Sequence, residues 1–365
     1  MGEEHSQPRV VVFGATGYTG RMTAAALVQR GVRPLLAGRD ENALRAMADE
    51  LGGLEWARAD ASSPDALRAL LTPESVLLAL TGPFTRFGTA AAEAAIDAGC
   101  TYIDSTGEAG FIRQVFEDYG PRAAAAGCAM ITACGYDYVL GNLAAALALQ
   151  GAPAASAVDV AYFHTGGLRA FSSGTHASIV EAVLGPHFAW RDGAIVSERG
   201  AARMARFAAD GGRKPALSVG STEHFALPRT FPELRNVRVY LGWFGALTRP
   251  MSLGSPMLQI PGAAPAVRAA LRLVVRGSRG GPSAQRLAAA RSIIVAVARD
   301  DTGRSLAEAR LEGVNGYDFT SAFLAFAAER ALEGVHGTGA LGPIEAFGLD
   351  AVRDGCAQAG VAQVA

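Results

Sequence analysis

Apolar and polar positions fall into repeating blocks through the first 135 residues. Val10-Val11-Val12-Phe13 is an uninterrupted apolar run, and further short runs cover residues 34–38, 54–59, 75–80, 101–104 and 128–133. The stretches between them carry helical periodicity, over about residues 18–30, 40–51, 64–71, 89–98 and 109–126. Gly31 and Gly52-Gly53 stand where helices end. Short buried strands alternating with helices predict a parallel, doubly wound α/β sheet. The pattern changes near Gly151. Residues 157–163 and 237–243 alternate partially, and residues 292–299 and 306–311 flank Asp300-Asp301-Thr302-Gly303, a hairpin signal. A second α+β domain with a mixed, largely antiparallel sheet is expected there. The expected division is residues 1–145, then 146–320, with a helix over 317–332 and a tail from about 320 to 365 packing back on the first domain.

The first apolar run leads into Gly14-Ala15-Thr16-Gly17-Tyr18-Thr19-Gly20. A strand, a glycine turn and a helix form an anion site, because backbone N–H groups point outward and glycine lets a pyrophosphate approach the chain. The second strand ends in Gly38-Arg39, where NAD-binding versions carry an acidic residue for the ribose 2′-hydroxyl. A guanidinium there pairs with a 2′-phosphate, so NADP is expected rather than NAD; a solvated strand-end charge is the alternative reading of Arg39. Ligands of such sheets sit beyond the carboxyl ends of the strands. Asp60, Thr81-Gly82-Pro83, Ser105-Thr106-Gly107-Glu108 and Gly135-Tyr136-Asp137 all fall at such ends.

Composition narrows the classes. A net charge of −1 argues against a nucleic-acid-binding face. No apolar run reaches membrane-spanning length and the first seven residues lack a signal-peptide core, so a cytoplasmic protein is expected. Cys100, Cys128, Cys134 and Cys356 form no CxxC pair, and the six histidines form no HExxH or HxxxH, so no metal site is expected. The chain has 32 arginines and a single lysine, Lys214, and no tyrosine precedes a lysine by four residues. Tyr-Lys reductase chemistry is thereby excluded. Arg268, Arg272 and Arg276 make a basic helical stripe that suits a solvated face, a membrane surface or an acidic carrier protein.

The linked motifs GATGYTG, LAGR ending at Arg39, TGPFTRFG at 81–88, YIDSTGE at 102–108 and GYDYVLGNL at 135–143 resemble those of the saccharopine dehydrogenase-like oxidoreductases. The branch most similar is the trans-acting enoyl reductases of lipid and polyketide assembly. The resemblance extends to Ser173-Gly174-Thr175-His176-Ala177-Ser178 and weakly to Gly316-Tyr317 and Gly342-Pro343-Ile344-Glu345. It implies a Rossmann domain, NADPH, and a second domain forming the substrate cleft. Gly14, Thr16, Gly17, Tyr18 and Thr19 match the pyrophosphate loop, Arg39 the 2′-phosphate position, and Gly82, Pro83 and Phe84 the segment passing the nicotinamide ribose. Ser105–Glu108 and Gly135–Asp137 match segments near the reacting centre. The family continues from Gly-aromatic-Asp into Ser and Pro; here Tyr138, Val139 and Leu140 stand instead.

The candidate catalytic residues are Tyr136, Asp137 and Tyr138. Reduction of a conjugated C=C needs a donor at the enolate oxygen and a proton for the α-carbon, whereas reduction of an imine needs orientation and a nearby carboxylate. Asp137 suits the second task if ionised, or else caps the following helix; the two tyrosines are donors or pocket walls. Glu108 either binds substrate or caps the helix that follows it. His164, Thr175 and His176 are candidates for substrate binding in the second domain. The expected function is an NADPH-dependent reductase of an enoyl or imine intermediate in secondary metabolism. Its substrate would be a small molecule or carrier-bound, and the enzyme a homodimer. The alternative is a catalytically silent NADP-binding regulator.

Overall fold

The computed structural model describes residues 9–61, 63–165, 185, 187–256 and 283–364. Thr175, His176, the rest of the 173–178 stretch and the arginine stripe at 268–276 lie outside them.

Seven strands form the first sheet, in the order β15-β6-β5-β4-β1-β2-β3. They are β1 (Val10–Phe13), β2 (Leu35–Gly38), β3 (Trp56–Arg58), β4 (Val76–Ala79), β5 (Thr101–Asp104), β6 (Ala129–Ile131) and, near the carboxyl end of the chain, β15 (Gly339–Ala340). Every pairing between them is parallel. β1 is flanked by β2 and β4, and all four of its residues are buried, as an apolar run covered on both faces must be. The order reverses direction between β1 and β4, which is where the ligand crevice of such a sheet opens.

The connecting helices are α1 (Tyr18–Gln29), α2 (Glu41–Glu50), α3 (Pro64–Arg68), α4 (Phe84–Ala98), α5 (Ala109–Gln114) and α6 (Gly120–Ala125). Asp40 caps α2 by accepting from the Ala43 amide. Two expectations change here. α4 starts at Phe84 instead of about residue 89, and Glu108 does not cap its own helix α5. One interaction explains both. The Glu108 carboxylate accepts from the amides of Phe84 and Thr85 at 2.8 and 2.9 Å and from the Thr85 hydroxyl at 2.7 Å. It satisfies the first turn of α4 from a different strand end. The single helix expected over 109–126 is interrupted by a π turn at Val115–Tyr119, just before Pro121, which has no amide to donate.

The long α7 (Tyr136–Gln150) joins the two sheets and is buried on nearly every face, so it is apolar all round rather than amphipathic. With β8 (His187–Arg191), β9 (Ala194–Glu198), β10 (Met204–Ala209) and β11 (Gly212–Val219), the second sheet runs β10-β11-β12-β7-β13-β14-β16, and β8 pairs with β12 and with β9. β7 (Ala157–His164) lies parallel to β12 (Asn236–Leu241) and antiparallel to β13 (Ser292–Arg299). β13 and β14 (Ser305–Gly313) form the expected hairpin, where Asp300 accepts from the Thr302 and Arg304 amides and Gly303 takes φ +84°. The second sheet is therefore mixed and largely antiparallel. The chain's last stretch divides between the layers: β15 extends the parallel sheet beside β6, and β16 (Val361–Val364) pairs with β14 in the other. No helix among the described residues is long and apolar enough to cross a membrane.

Candidate active site

The glycine loop between β1 and α1 is fixed by three different demands. Gly14 takes φ +86°, and a Cβ there would stand 2.6 Å from the Thr81 hydroxyl. A Cβ on Gly20 would overlap the Gly14 carbonyl oxygen, so Gly20 serves the close packing of helix on turn. Gly17 is exposed, and its missing Cβ would meet only the Gly14 carbonyl oxygen, at 3.1 Å. No side chain caps α1 and its first turn holds no acidic residue. The orphan amides of that turn are left for an anion, and the bare Gly17 backbone lets one come close. Ala15 is buried beneath the loop, and Thr16, Tyr18 and Thr19 are half-buried around it. Arg39 is exposed beyond β2 and makes no hydrogen bond or ion pair with the described residues. The Ala59 amide donates to the Gly38 carbonyl, which brings Asp60 to the same end of the sheet as Arg39. These residues fit a phosphorylated dinucleotide: a cradle without side chains, free amides and an uncommitted guanidinium.

Replacing Arg39 with alanine is expected to weaken NADPH binding by one to two orders of magnitude, about 1.5–3 kcal/mol for one charge-assisted phosphate contact, with NADH affinity changed less than threefold. Isothermal calorimetry with both nucleotides checks this; equal losses for the two would place the 2′-phosphate elsewhere.

Further along the same sheet edge, the ends of β4, β5 and β6 bring together Thr81-Gly82-Pro83-Phe84, Ser105-Thr106-Gly107 and Gly135-Tyr136-Asp137. Asp104 organises two of these turns. Its buried carboxylate accepts from the amides of Thr106 and Ala133 and from the Thr132 hydroxyl, and burial raises its pKa to about 6. Gly135 and Tyr136 are held from the other side by α11 (Gly316–Glu333). Thr320 accepts from the Tyr136 amide at 2.9 Å, and a Cβ on Gly135 would touch the same threonine. (The later helices are α8, Glu223–Thr230; α9, Thr248–Gly254; and α10, Ala284–Ala289, before α11.) The start of α11 also reaches the glycine loop, where Tyr317 packs edge-on against Tyr18 with ring centroids 5.0 Å apart.

Asp137 is the chemically distinctive group. It caps nothing: Gly135 holds the cap position of α7, and Asp137 lies at a kink with non-helical backbone. Its Oδ1 is buried without a hydrogen-bond partner among the described residues, and its Oδ2 lies 3.5 Å from where a Cβ on Gly107 would be. Burial, reinforced by the nearby Glu223 carboxylate, raises its pKa to about 8. Tyr136 is committed elsewhere, donating its phenol to the Phe163 carbonyl at 2.9 Å, so it walls the site instead of offering a donor. Tyr138 is buried, edge-on to Tyr162 at 5.6 Å. His164, at the end of β7, packs against Trp243, which also contacts Tyr136. Burial lowers the pKa of His164 to about 4 and keeps the ring neutral.

Sequence reasoning passed over Glu223 and Tyr162. Glu223 Oε1 accepts from the Tyr162 hydroxyl at 2.6 Å, and that hydroxyl accepts from the Gly141 amide at 2.7 Å. In sequence, Glu223 reads as an ordinary acidic residue opening a helix, and Tyr162 as one apolar position of a strand. No group of three His, Cys, Asp or Glu among the described residues is placed to hold a metal.

An open parallel sheet of this strand order, with a glycine-lined, uncapped helix end at its switch point, defines a dinucleotide-binding protein. Residues 10–131, about a third of the chain, match the family described as the saccharopine dehydrogenase NADP binding domain. NADP is the cofactor of that domain. A trans-acting enoyl reductase of Mycobacterium ulcerans is 38% identical over 149 residues, 39% of this chain and 36% of the relative. One from Mycobacterium bovis is 39% identical over 140 residues, 37% of this chain and 34% of the relative. The chain thus matches about a third of the length of these curated relatives. The saccharopine dehydrogenase (L-Glu forming) of Saccharomyces cerevisiae superimposes over 98% of this chain and 100% of its own, with a TM-score of 0.60 and 13% identity, a likeness of fold.

Proposed function

We infer that the protein is an NADP-dependent oxidoreductase that reduces a conjugated C=C bond, an enoyl group carried as a thioester on a small molecule or a carrier. Two matches support the reading, the NADP-binding family and the partial likeness to enoyl reductases. The observation that carries it is Asp137. Bound NADPH supplies a hydride. Saturating an enoyl group then requires a proton at the α-carbon, and a half-buried carboxyl whose desolvation raises its pKa to about 8 still holds one at neutral pH. A cyclic iminium substrate arrives already protonated and would call for an ionised carboxylate, which this environment disfavours. Asp137 is therefore assigned as proton donor. Its Oδ1 has no hydrogen-bond partner among the described residues, and its chain neighbours Tyr136 and Tyr138 are buried. Gly107 keeps the approach to the carboxyl bare.

With crotonyl-N-acetylcysteamine as probe, NADPH should be oxidised stoichiometrically. In D2O the butyryl product should carry one deuterium, at the α-carbon, as read by mass spectrometry. Oxidation with a cyclic imine and none with the enoyl thioester would overturn the assignment. Binding of NADPH without oxidation by either class of acceptor would favour a silent regulator.

A further inference from the structure

The edge of the crevice is built from turns that follow different strands, and close contacts join them one to the next. The turn after β4 meets the glycine loop, since a Cβ on Gly14 would stand 2.6 Å from the Thr81 hydroxyl. The turn after β5 meets Asp137, whose Oδ2 lies 3.5 Å from the place of a Cβ on Gly107. Asp104 joins the turn after β5 to the turn after β6 through the amides of Thr106 and Ala133. Glu108 makes the remaining link, from the turn after β5 back to the turn after β4, by accepting from the amides of Phe84 and Thr85 and from the Thr85 hydroxyl. Glu108 is 1% exposed, and its own amide donates to the Thr106 hydroxyl at 3.1 Å, so backbone and carboxylate are both fixed.

This link does more than cap a helix. A serine, threonine or aspartate in place of Pro83 would satisfy the first amides of α4 locally. The chain places proline at that cap position, and a carboxylate 24 residues further on accepts from the Phe84 amide. Phe111, on the helix that follows Glu108, reinforces the contact. Its ring packs against Phe84 with centroids 5.8 Å apart and fills the place of a Cβ on Gly88. The segment after β5 therefore holds the start of α4 by a buried polar contact and by an apolar one. What the remote carboxylate adds over a local cap is a fixed spacing between two turns, one against the glycine loop and one against Asp137.

We propose that Glu108 is a positioning residue that locks the turn at 81–85 to the turn at 105–107, and so keeps the nicotinamide side of the crevice in register with Asp137. This rests on the reading of the protein as an NADP-dependent reductase with Asp137 as its proton donor. Glu108 itself makes and breaks no bond in the reaction. Its effect is on the orientation of the cofactor's reacting half, whereas the adenosine half is left to the glycine loop and Arg39.

The test compares two ligands by calorimetry on the full chain: NADPH, and 2′,5′-ADP, which carries the adenosine half without the nicotinamide. Glu108→Ala should weaken NADPH by about tenfold or more and leave 2′,5′-ADP within about twofold of wild type. Glu108→Gln keeps one acceptor oxygen, and Thr85→Ala removes one donor. Both should change the ratio of the two affinities the same way by less, and they decide the matter if Glu108→Ala does not fold. With crotonyl-N-acetylcysteamine and saturating NADPH, kcat of Glu108→Ala should fall by about tenfold or more, and NADPH deuterated at C4 should show a larger isotope effect than in wild type. An unchanged ratio in the folded variants, whether both ligands weaken together or neither does, would make Glu108 a cap alone and overturn the inference. If wild type oxidises no NADPH with the enoyl thioester, the enoyl reductase reading fails instead, and the ratio of affinities still decides whether Glu108 serves the nicotinamide side.

Discussion

Asp137→Asn should lower turnover of an enoyl thioester by about 10²–10⁴-fold, the usual worth of a positioned general acid, while NADPH affinity stays within about twofold. The amide keeps the shape of the side chain and removes its transferable proton. The same substitution should alter how stability depends on pH. The carboxyl's folded pKa of about 8 lies above its ordinary value of 3.8, so the folded state binds the proton more tightly than the unfolded chain does. That contribution is complete below about pH 4 and is lost as pH rises towards 8. Wild type should therefore lose stability across this window, with a slope approaching about 1.4 kcal/mol per pH unit for each such proton. Glu223, raised to about 7, and Asp104, raised to about 6, add terms of the same sign, while the lowered His164 and His224 oppose them at the acid end. Asp137→Asn removes the term that reaches to the highest pH, so the difference between urea midpoints at pH 5 and pH 8 should shrink. Unaltered turnover together with an unaltered pH slope would mean that Asp137 neither donates a proton nor retains one.

Gly17→Val should abolish NADPH binding, by more than about 10²-fold, and leave the fold in place. Gly17 is exposed, and the one atom its Cβ would approach closely is the Gly14 carbonyl oxygen at 3.1 Å, so the folded chain accommodates a side chain there at modest cost. The branched methyls would instead fill the space in front of the α1 amides, where a pyrophosphate must come within hydrogen-bonding distance. Gly20→Ala provides the contrast. Its Cβ would be driven into the Gly14 carbonyl, so it should lower the melting temperature as well as the affinity. Fluorescence titration beside thermal melts separates the two outcomes. An NADPH affinity within threefold of wild type in Gly17→Val would show that the cofactor's phosphates lie elsewhere.

The parallel sheet was legible because its strands are covered on both faces. Val10–Phe13 and Val76–Ala79 show up as bare apolar runs, and glycines punctuate the turns between them. What escaped depends on partners distant in sequence. The early start of α4 needs a carboxylate 24 residues away to satisfy its amides, and nothing local at Phe84 reveals it. β15 is two residues long, too short to carry any periodicity, and it pairs only because β6 leaves an edge open. At the site, Gly-Tyr-Asp ahead of a helix reads equally as a cap or as chemistry. The difference lies in Glu223 and Tyr162, which are 61 residues apart and meet only once the second sheet is assembled.

The divided tail makes the two sheets hostage to one another. A chain cut at residue 145 would leave the first piece without β15, its β6 edge bare, and the second piece would carry a two-residue strand with no sheet to join. An exposed row of unpaired amides and carbonyls recruits strands from other molecules. The halves of this protein, made separately, would thus be prone to stick to their own copies rather than behave as a free nucleotide binder and a free substrate module.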